Sequence, residues 1–301
     1  GLHNEVNYLV FMLSTVIVFL YCCYCIVSKT RSVWSLLFVF SGSTLLAVER
    51  GNNDLIIFIL LFLSARTTSF LRLLSIVTAT ILKIFPILVL PVFIKDKKIM
   101  LTLAVLCLGL LAWMWPQLLL IRAGTPVAAG LSYGVASIAA AAAMTPLKIP
   151  QFWLTVMLIA SVFIAYSGSF EVFNLDTEFS DIQNERWFIL GACVYVGTFI
   201  FSSNWDYRLI FLIMCVPYLL SIKNYMPRCM MLVCLFLTGN QLALYAALGY
   251  FGLAINIFAK CILFSFLTTM LLRLIEIEVP FLKRMLSFIP TFPRRALRFN
   301  A

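Results

Sequence analysis

The sequence predicts an all-α, polytopic transmembrane helical bundle, and three observations support this prediction. Of 301 residues, 63% are hydrophobic and only 11% are charged, whereas soluble domains carry about 25% charged residues. The mean hydropathy of +1.05 is higher than a soluble globule of this length can accommodate, because its surface must stay wettable. The apolar residues also fall into blocks near the ~20 residues that cross a bilayer. Backbone amides in lipid must be satisfied within the segment, so these blocks are expected to be helices.

Apolar blocks occur ten times along the chain and predict ten crossings. The predicted blocks are 7–28, 33–48, 54–68, 71–94, 99–121, 150–166, 187–203, 208–222, 229–250 and 252–275. The stretch 122–149, with several glycines and prolines and an alanine run at 139–143, is either an interfacial or re-entrant helix or an eleventh crossing. The longest polar stretch is only 167–186, so residues 1–301 are expected to form a single transmembrane domain.

The net charge of +10 is concentrated in short loops and in the C-terminal region. Basic residues in these places are typical of the cytoplasmic side of a membrane protein and of contact with anionic membrane lipids. Residues 275–301 are therefore expected to form a basic cytoplasmic tail, in which the cations are Lys283, Arg284, Arg294, Arg295 and Arg298. Nucleic acid is not an expected partner, because nucleic-acid-binding proteins place their positive charge differently.

Counting ten crossings from a cytoplasmic loop at 95–98 gives a side for every other loop. The loops 223–228, 167–186 and 49–54 and the tail fall inside, while 203–208 falls outside. Lys29 and Arg31 also fall outside, which runs against the positive-inside rule.

Cysteine and histidine do not suggest a metal site or a cofactor. Nine cysteines are present, most of them inside apolar blocks, and the chain has one histidine, His3. The Cys22, Cys23 and Cys25 group inside an apolar block is expected to pack as small apolar side chains.

Two polar positions stand out early in the chain, because ionisable groups in or near the bilayer are costly. The turn 49–54 contains Glu49, Arg50, Asn53 and Asp54. It is interpreted either as a tight turn with an Asn or Asp cap and a neutralised Glu49–Arg50 pair, or as a binding site that uses Arg50 and Asn53.

Lys83 lies about 18 Å along a helix from Lys95, with Pro86 and Pro91 interrupting the backbone hydrogen bonds nearby. It either extends its amine to the opposite membrane face or binds a lipid phosphate as a point charge. Both interpretations remain open from the sequence.

The segment 204–208 combines groups that stack, donate hydrogen bonds and carry charge: Asn204, Trp205, Asp206, Tyr207 and Arg208. It is interpreted either as an aromatic belt with an Asp206–Arg208 ion pair or as a site for a sugar phosphate. The acidic stretch that contains Glu171, Asp176, Glu178, Asp181 and Glu185 is expected to be a solvated loop.

Three of these segments together resemble one family. The turn Glu-Arg-Gly-Asn-Asn-Asp-Leu, the helix Leu-Lys-Ile-Phe-Pro-Ile-Leu leading to Lys-Asp-Lys-Lys, and the segment Asn-Trp-Asp-Tyr-Arg are similar to the motifs of GT-C integral-membrane glycosyltransferases. The particular resemblance is to glycosyltransferase family 87, the polyprenol-phosphate-mannose-dependent mannosyltransferases. Order and spacing match over most of the chain.

The resemblance implies a GT-C fold in a bacterial cytoplasmic membrane and transfer of a hexose from a polyprenyl-phosphate donor to a lipid or glycan acceptor on the extracytoplasmic side. In that family an aspartate in the first outer loop is the general base, ahead of the part that matches Leu2 to Met12. The catalytic base is therefore expected N-terminal of Gly1 in a longer chain, with Asp206 in a supporting role. Tyr207 stands where the family has histidine, so proton chemistry is not carried over to that position.

The residues by themselves lead to the hypothesis that Arg208 binds a donor phosphate and Asp206 fixes Arg208 or a sugar hydroxyl. Substrate contacts are also expected from Asn204, Trp205, Tyr207, Lys83, Arg50 and Asn53. The competing interpretations are a transporter or flippase of lipid-linked sugar and a membrane protein without catalytic activity.

Overall fold

The computed structural model describes residues 2–93, 95–124, 132–143, 151–167, 181–201 and 204–278. Nearly all of these residues are helical, as predicted. The α-helices, in chain order, are α1 (Leu2–Thr30), α2 (Val33–Val39), α3 (Gly42–Glu49), α4 (Asp54–Arg66), α5 (Ser69–Leu82), α6 (Lys97–Gly124), α7 (Val135–Ala143), α8 (Gln151–Ser167), α9 (Ile182–Phe201), α10 (Val216–Leu220), α11 (Tyr225–Gly239) and α12 (Gln241–Glu278).

Three helices among the described residues are long and apolar enough to cross a membrane: Asn7–Thr30, Lys98–Gln117 and Gln241–Ile275, of which the last is interrupted at Gly249. Four shorter apolar helical stretches accompany them: Val33–Glu49, which contains α2 and α3, and Ser69–Leu82, Phe152–Ser167 and Tyr225–Gly239. The ten or eleven predicted crossings are thus not confirmed as helices of full bilayer length. Several predicted blocks are divided: block 33–48 contains both α2 and α3, and block 208–222 contains a 3-10 helix and α10.

Among the described residues, two 3-10 helices replace parts of the predicted α-helices, at Phe85–Phe93 and Asp206–Cys215. The first follows from the sequence: α5 ends at Leu82, Lys83 is extended (φ −151°, ψ 143°), and Pro91 within the segment has no N–H to donate. The second packs closely against α9. Gly191 makes this approach feasible, because a Cβ there would lie 2.4 Å from the Phe211 carbonyl oxygen.

The long α12 reverses direction at Gly249, whose φ of 57° and ψ of −136° are not helical. In an unbroken helix Gln241 and Lys260 would lie about 28 Å apart. Instead the Lys260 Nζ donates a hydrogen bond to the Gln241 Oε1, and the Asn256 amide donates to the Leu237 carbonyl at 2.6 Å. The residues on either side of Gly249 therefore form two arms of a helical hairpin.

A two-stranded antiparallel sheet is the departure from an all-α fold. Strand β1 (Ser132–Tyr133) pairs with β2 (Asn204–Trp205), with Ser132 opposite Trp205 and Tyr133 opposite Asn204. Because Ser132, Tyr133 and Asn204 are buried, this pairing satisfies backbone groups that water cannot reach. The stretch 122–149 thus contains β1, and its alanine run lies in the helix α7; residues 125–131 and 144–150 lie outside the described residues.

The core lies around α4, α9 and the second 3-10 helix, where apolar side chains are fully enclosed. By contrast, α1 and α6 expose many large apolar side chains, such as Tyr24 and Trp113. This distribution suits helices that face lipid, because lipid tails are as apolar as the exposed side chains. Cys22 and Cys23 are buried in the core, in agreement with their predicted packing role.

Candidate functional site

Asp54 is the centre of a buried polar site. It is the first residue of α4, has no solvent exposure, and its Oδ1 lies 2.6 Å from the Nζ of Lys83. Lys83 also donates to the Asn52 Oδ1 at 3.0 Å. The extended backbone at Lys83, directly after α5, brings the amine to the turn 49–54. Lys83 therefore binds protein oxygens and is not a simple snorkelling lysine.

Arg208 reaches the same carboxylate from the segment 204–208. Its Nε lies 3.6 Å from the Asp54 Oδ2, which is too long for a hydrogen bond. Its NH1 donates to the Asn204 Oδ1. Within the described part of the chain, neither Arg208 Nε nor Asp54 Oδ2 has a hydrogen-bond partner. Both atoms are buried, but the Arg208 side chain as a whole is 21% exposed, so part of it can be reached from outside the site.

Asp206 forms a second ion pair, with Lys260 of α12. Its Oδ1 lies 3.1 Å from the Lys260 Nζ, which also donates to the Ser132 carbonyl at 3.2 Å and to Gln241. The structure therefore does not contain the predicted Asp206–Arg208 pair. The reason is geometric: the 3-10 helix begins at Asp206 and directs its carboxylate towards α12, while Arg208 points to α4.

Lys260 and Gln241 were not among the predicted site residues. Both are buried, and Lys260 is 1% exposed. The signal was present in the sequence, because Lys260 is a charged residue well inside the apolar block 252–275, and such residues are functional candidates by default. Gln241 gave no comparable signal; only the reversal at Gly249 brings it to Lys260.

Aromatic rings lie beside the cations of the site. The Arg50 guanidinium carbon is 5.9 Å from the Trp205 ring centroid, and Lys83 Nζ is 5.8 Å from that of Tyr207. Arg208 lies 5.0 Å from the ring of Phe85. Such contacts stabilise and orient cations in surroundings of low polarity. The Arg50–Trp205 contact also joins the turn 49–54 to the segment 204–208, in addition to the contact between Asp54 and Arg208.

Asn53 is the predicted site residue that the structure leaves outside the cluster. It is exposed and occupies the position before α4, but its side chain makes no capping hydrogen bond. The neighbouring Asn52 instead accepts the Asp54 N–H at 3.0 Å. The capping interpretation of the turn is therefore partly right, with Asn52 in the role expected of Asn53 or Asp54.

A second polar cluster, at the other end of α4, contains Lys29, Arg66, Arg72 and Arg186. The Arg72 Nε donates to the Ser64 carbonyl at 3.0 Å, and the Arg186 NH1 donates to the Ala65 carbonyl at 3.4 Å. The two ends of α4 are about 18 Å apart at ~1.5 Å per residue. We call this cluster the basic end.

These contacts correct two of the predicted sides. Lys29 lies 2.5 Å from Asp181, so Lys29 and the loop before α9 are on the same side, not opposite sides. The turn 49–54 contacts the segment 204–208 through Asp54 and Arg208, so these two also share a side. Counting crossings failed because block 71–94 is not one continuous helix. It contains α5 and the 3-10 helix Phe85–Phe93, separated by the extended Lys83, and Asp96 after the block interacts electrostatically with Arg72 near its start. Glu171, Asp176, Glu178 and the tail cations lie outside the described residues.

The site as a whole is suited to an anion. Four cations, Arg50, Lys83, Arg208 and Lys260, face two carboxylates, those of Asp54 and Asp206. The excess of positive charge and the partly exposed Arg208 side chain suit a phosphate group. Within the described ranges, no three His, Cys, Asp or Glu side chains are grouped as metal ligands would be.

The fold and the site thus define a helical protein with membrane-length apolar helices and a buried polar site joining residues distant in sequence. Comparison with protein-family models, curated proteins and solved structures finds no match for this chain.

Proposed function

We propose that this protein is a membrane glycosyltransferase that transfers a hexose from a polyprenyl-phosphate sugar to a lipid or glycan acceptor. The observation that carries the proposal is the meeting of three distant segments at one site: the turn 49–54, Lys83 and the segment 204–208. These are the segments whose order resembles that of the polyprenol-phosphate-mannose-dependent mannosyltransferases. Buried ionisable groups pair in many membrane proteins, but here the paired groups belong to the same three segments that carry the resemblance.

Within this proposal, Arg208 and Lys83 bind the donor phosphate, and Arg50 adds positive charge at the rim. When the sugar–phosphate bond breaks, the leaving phosphate gains negative charge, and fixed donors nearby stabilise it. Trp205 and Tyr207 offer aromatic faces beside these cations.

The acceptor must lose a proton to a general base, and we assign that base to neither buried aspartate. Asp54 is paired with Lys83 at 2.6 Å and Asp206 with Lys260 at 3.1 Å. Each carboxylate is buried and already accepts a hydrogen bond from its lysine, so neither is free to take a proton from an acceptor. Asp54 and Asp206 act in this proposal by holding the cations and the 204–208 segment in position.

The charges also support a place for the site on the extracytoplasmic side of the bacterial cytoplasmic membrane. Lys29, Arg66, Arg72 and Arg186 gather at the basic end, and positive charge marks the cytoplasmic side. The turn 49–54 lies close to Met12 of α1, because a Cβ at Gly51 would be 2.3 Å from the Met12 Sδ. Along α1, Met12 is about 26 Å from Lys29. This distance is close to the ~30 Å of the hydrocarbon core. We further propose that the shorter apolar helices also lie in the bilayer, which makes the protein polytopic.

The test is donor binding by the full chain in lipid nanodiscs, with short-chain polyprenyl-phosphate mannose as the probe. Arg208→Gln and Lys83→Met are each expected to weaken binding about 10- to 100-fold, since a hydrogen bond to a charged group contributes roughly 1.5–3 kcal/mol. Lys223→Gln, an exposed lysine away from the site, is the control and is expected to bind as the wild type. Equal donor affinity in Arg208→Gln and wild type would contradict the proposal.

A carrier of lipid-linked sugar is the second candidate, and the break of α12 at Gly249 favours it. Transporters place broken helices beside their substrate sites, and here the break brings Gln241 to Lys260. The two functions differ in their products. A transferase releases polyprenyl phosphate when donor and a membrane lipid extract are supplied, whereas a carrier moves the intact donor across proteoliposome membranes.

A further inference from the structure

The basic end contains an unusual arrangement of two cations on one aromatic pair. The rings of Phe62 and Trp187 are stacked, with centroids 5.1 Å apart and planes 17° apart. The Arg66 guanidinium carbon lies 5.5 Å from the Phe62 ring, and the Lys29 Nζ lies 5.1 Å from the Trp187 ring. Both rings belong to side chains only 1% exposed. Arg66 and Lys29 are thus held by a rigid, buried support, although both residues are themselves exposed.

Two further cations stand beside this pair but are already committed. Arg72 donates to the Ser64 and Thr67 carbonyls, and Arg186 donates to that of Ala65. These bonds satisfy carbonyls at the C-terminal end of α4, where cations are favoured by the helix dipole. Four positive charges consequently surround one helix end. Among the described residues, the Asp181 carboxylate pairs with Lys29, and Asp96 interacts electrostatically with Arg72.

Arg66 has the least protein contact of the four. Apart from the Phe62 ring, its guanidinium makes no hydrogen bond or ion pair with another described residue. The Arg66 guanidinium has five N–H donors, is held in place and points outward. Such a group can bind a phosphate through two parallel hydrogen bonds.

The surface next to Arg66 is apolar. Leu63 is 44% exposed and lies three residues before Arg66, so both occupy the outward face of α4. α4 packs against α1 and α5, whose exposed side chains near this end are Tyr24 and Phe70, at 65% and 70% exposure. A molecule that binds here meets positive charge at one end and apolar side chains along the rest.

We propose that the basic end is a site for the headgroup of an anionic phospholipid whose acyl chains lie along α1, α4 and α5. Arg66 binds the phosphate, and Lys29, which is itself held by Asp181 and Gln183, adds positive charge beside it. The proposal is independent of the transferase activity, because the site lies about 18 Å from Asp54, at the far end of α4. Phosphatidylglycerol is the simplest lipid of this chemistry. Its phosphate would offset the excess positive charge that Asp181 leaves.

The test measures binding of spin-labelled phosphatidylglycerol and spin-labelled phosphatidylcholine to the full chain in nanodiscs. The wild type is expected to prefer phosphatidylglycerol. The double variant Lys29→Gln/Arg66→Gln is expected to lose that preference by about 20- to 30-fold, since each cation near the headgroups is worth roughly a factor of five. Glycerol phosphate, the same headgroup chemistry without acyl chains, is expected to compete poorly, because it lacks the apolar contacts.

The control is Lys223→Gln, which removes an exposed positive charge that is not in the cluster. It is expected to keep the wild-type preference. An equal loss in Lys223→Gln and in the double variant would mean general attraction of anionic lipid and would overturn the site. Effective competition by glycerol phosphate would instead indicate a site for a soluble anion. A melting temperature measured for each variant in phosphatidylcholine alone separates loss of binding from loss of fold.

Discussion

Lys83 places its amine nitrogen 2.6 Å from the Oδ1 of Asp54, a carboxylate without solvent exposure. The two residues are 29 positions apart in the chain, and α4 and α5 lie between them. Asp54 and Lys83 each lie in a polar position that interrupts apolar sequence, and their contact joins the two positions into one site. It also holds the start of α4 against the end of α5, so the same ion pair bears on stability and on the proposed binding of phosphate.

Removing the anion of this pair is expected to destabilise the fold. Asp54→Asn leaves Lys83 without a charged partner, and breaking a buried ion pair costs about 3–5 kcal/mol. The expected result is a lower melting temperature in detergent. The double variant Asp54→Asn/Lys83→Met, which removes both charges, is expected to recover much of the loss. If Asp54→Asn melts like the wild type, the pair has no structural role.

The Lys260–Asp206 pair is expected to position the segment 204–208. Lys260→Met removes the links to Asp206, Ser132 and Gln241, so Arg208 should lose its fixed position and donor affinity should fall. Asp206→Asn/Lys260→Met removes both charges, and its melting temperature is expected to lie above that of Lys260→Met alone. Donor affinity and melting temperature are measured on the same samples. Unaltered affinity in Lys260→Met would contradict a positioning role.

Gly51 is expected to tolerate no side chain. Its φ is 52°, and a Cβ would lie 2.3 Å from the Met12 Sδ. Gly51→Ala should cost about 1–3 kcal/mol from backbone strain and overpacking, visible as a lower melting temperature. The matched control is Gly109→Ala in α6, where no atom lies within 4 Å of the added Cβ. That variant should be neutral or slightly stabilising, because alanine favours helix more than glycine does.

The sides of the membrane can be tested by single cysteines and a membrane-impermeant maleimide. Cysteines at Glu49 and Tyr207 are expected to react from the same side, because the turn 49–54 and the segment 204–208 are in contact. A cysteine at Arg31, next to the Lys29 cluster, should react from the opposite side. The unmodified chain gives the background from its own cysteines. Labelling of positions 49 and 207 from opposite sides would contradict the structure.

The pair between Lys29 and Asp181 is expected to give a small pH dependence of stability. The hydrogen bond from Lys29 lowers the pKa of the Asp181 carboxyl below its usual value, which is near 4. Its stabilising contribution is therefore present above about pH 4 and lost as the pH falls through the lowered folded-state pKa. The effect is small because Asp181 is 51% exposed. Comparing melting temperatures from pH 6 to pH 3 checks this, with Lys29→Met expected to show a weaker decline.

Much of the local structure followed from the sequence. Apolar blocks predicted the helices, and Pro86 and Pro91 predicted an interrupted backbone after Lys83, where the 3-10 helix Phe85–Phe93 is found. Of the seven predicted substrate-binding residues, Arg50, Lys83, Asn204 and Arg208 could be named because charge or amide groups in or beside apolar sequence are costly. The prediction named Asn53 where the structure has Asn52, because the backbone angles of the turn decide which of the two adjacent asparagines reaches the site.

What the sequence by itself determined is the kind of helix: so much apolar side chain, with so few charges, specifies apolar helices, three of which among the described residues are long enough to cross a membrane. Which charges meet was decided only by the tertiary structure. Asp206 pairs with Lys260 instead of Arg208, and Gln241 reaches Lys260, because the chain reverses at Gly249. The physical reason is that hydrophobic burial is non-directional and follows composition. An ion pair depends on a few ångströms of geometry, which are set by helix breaks and packing along the whole chain.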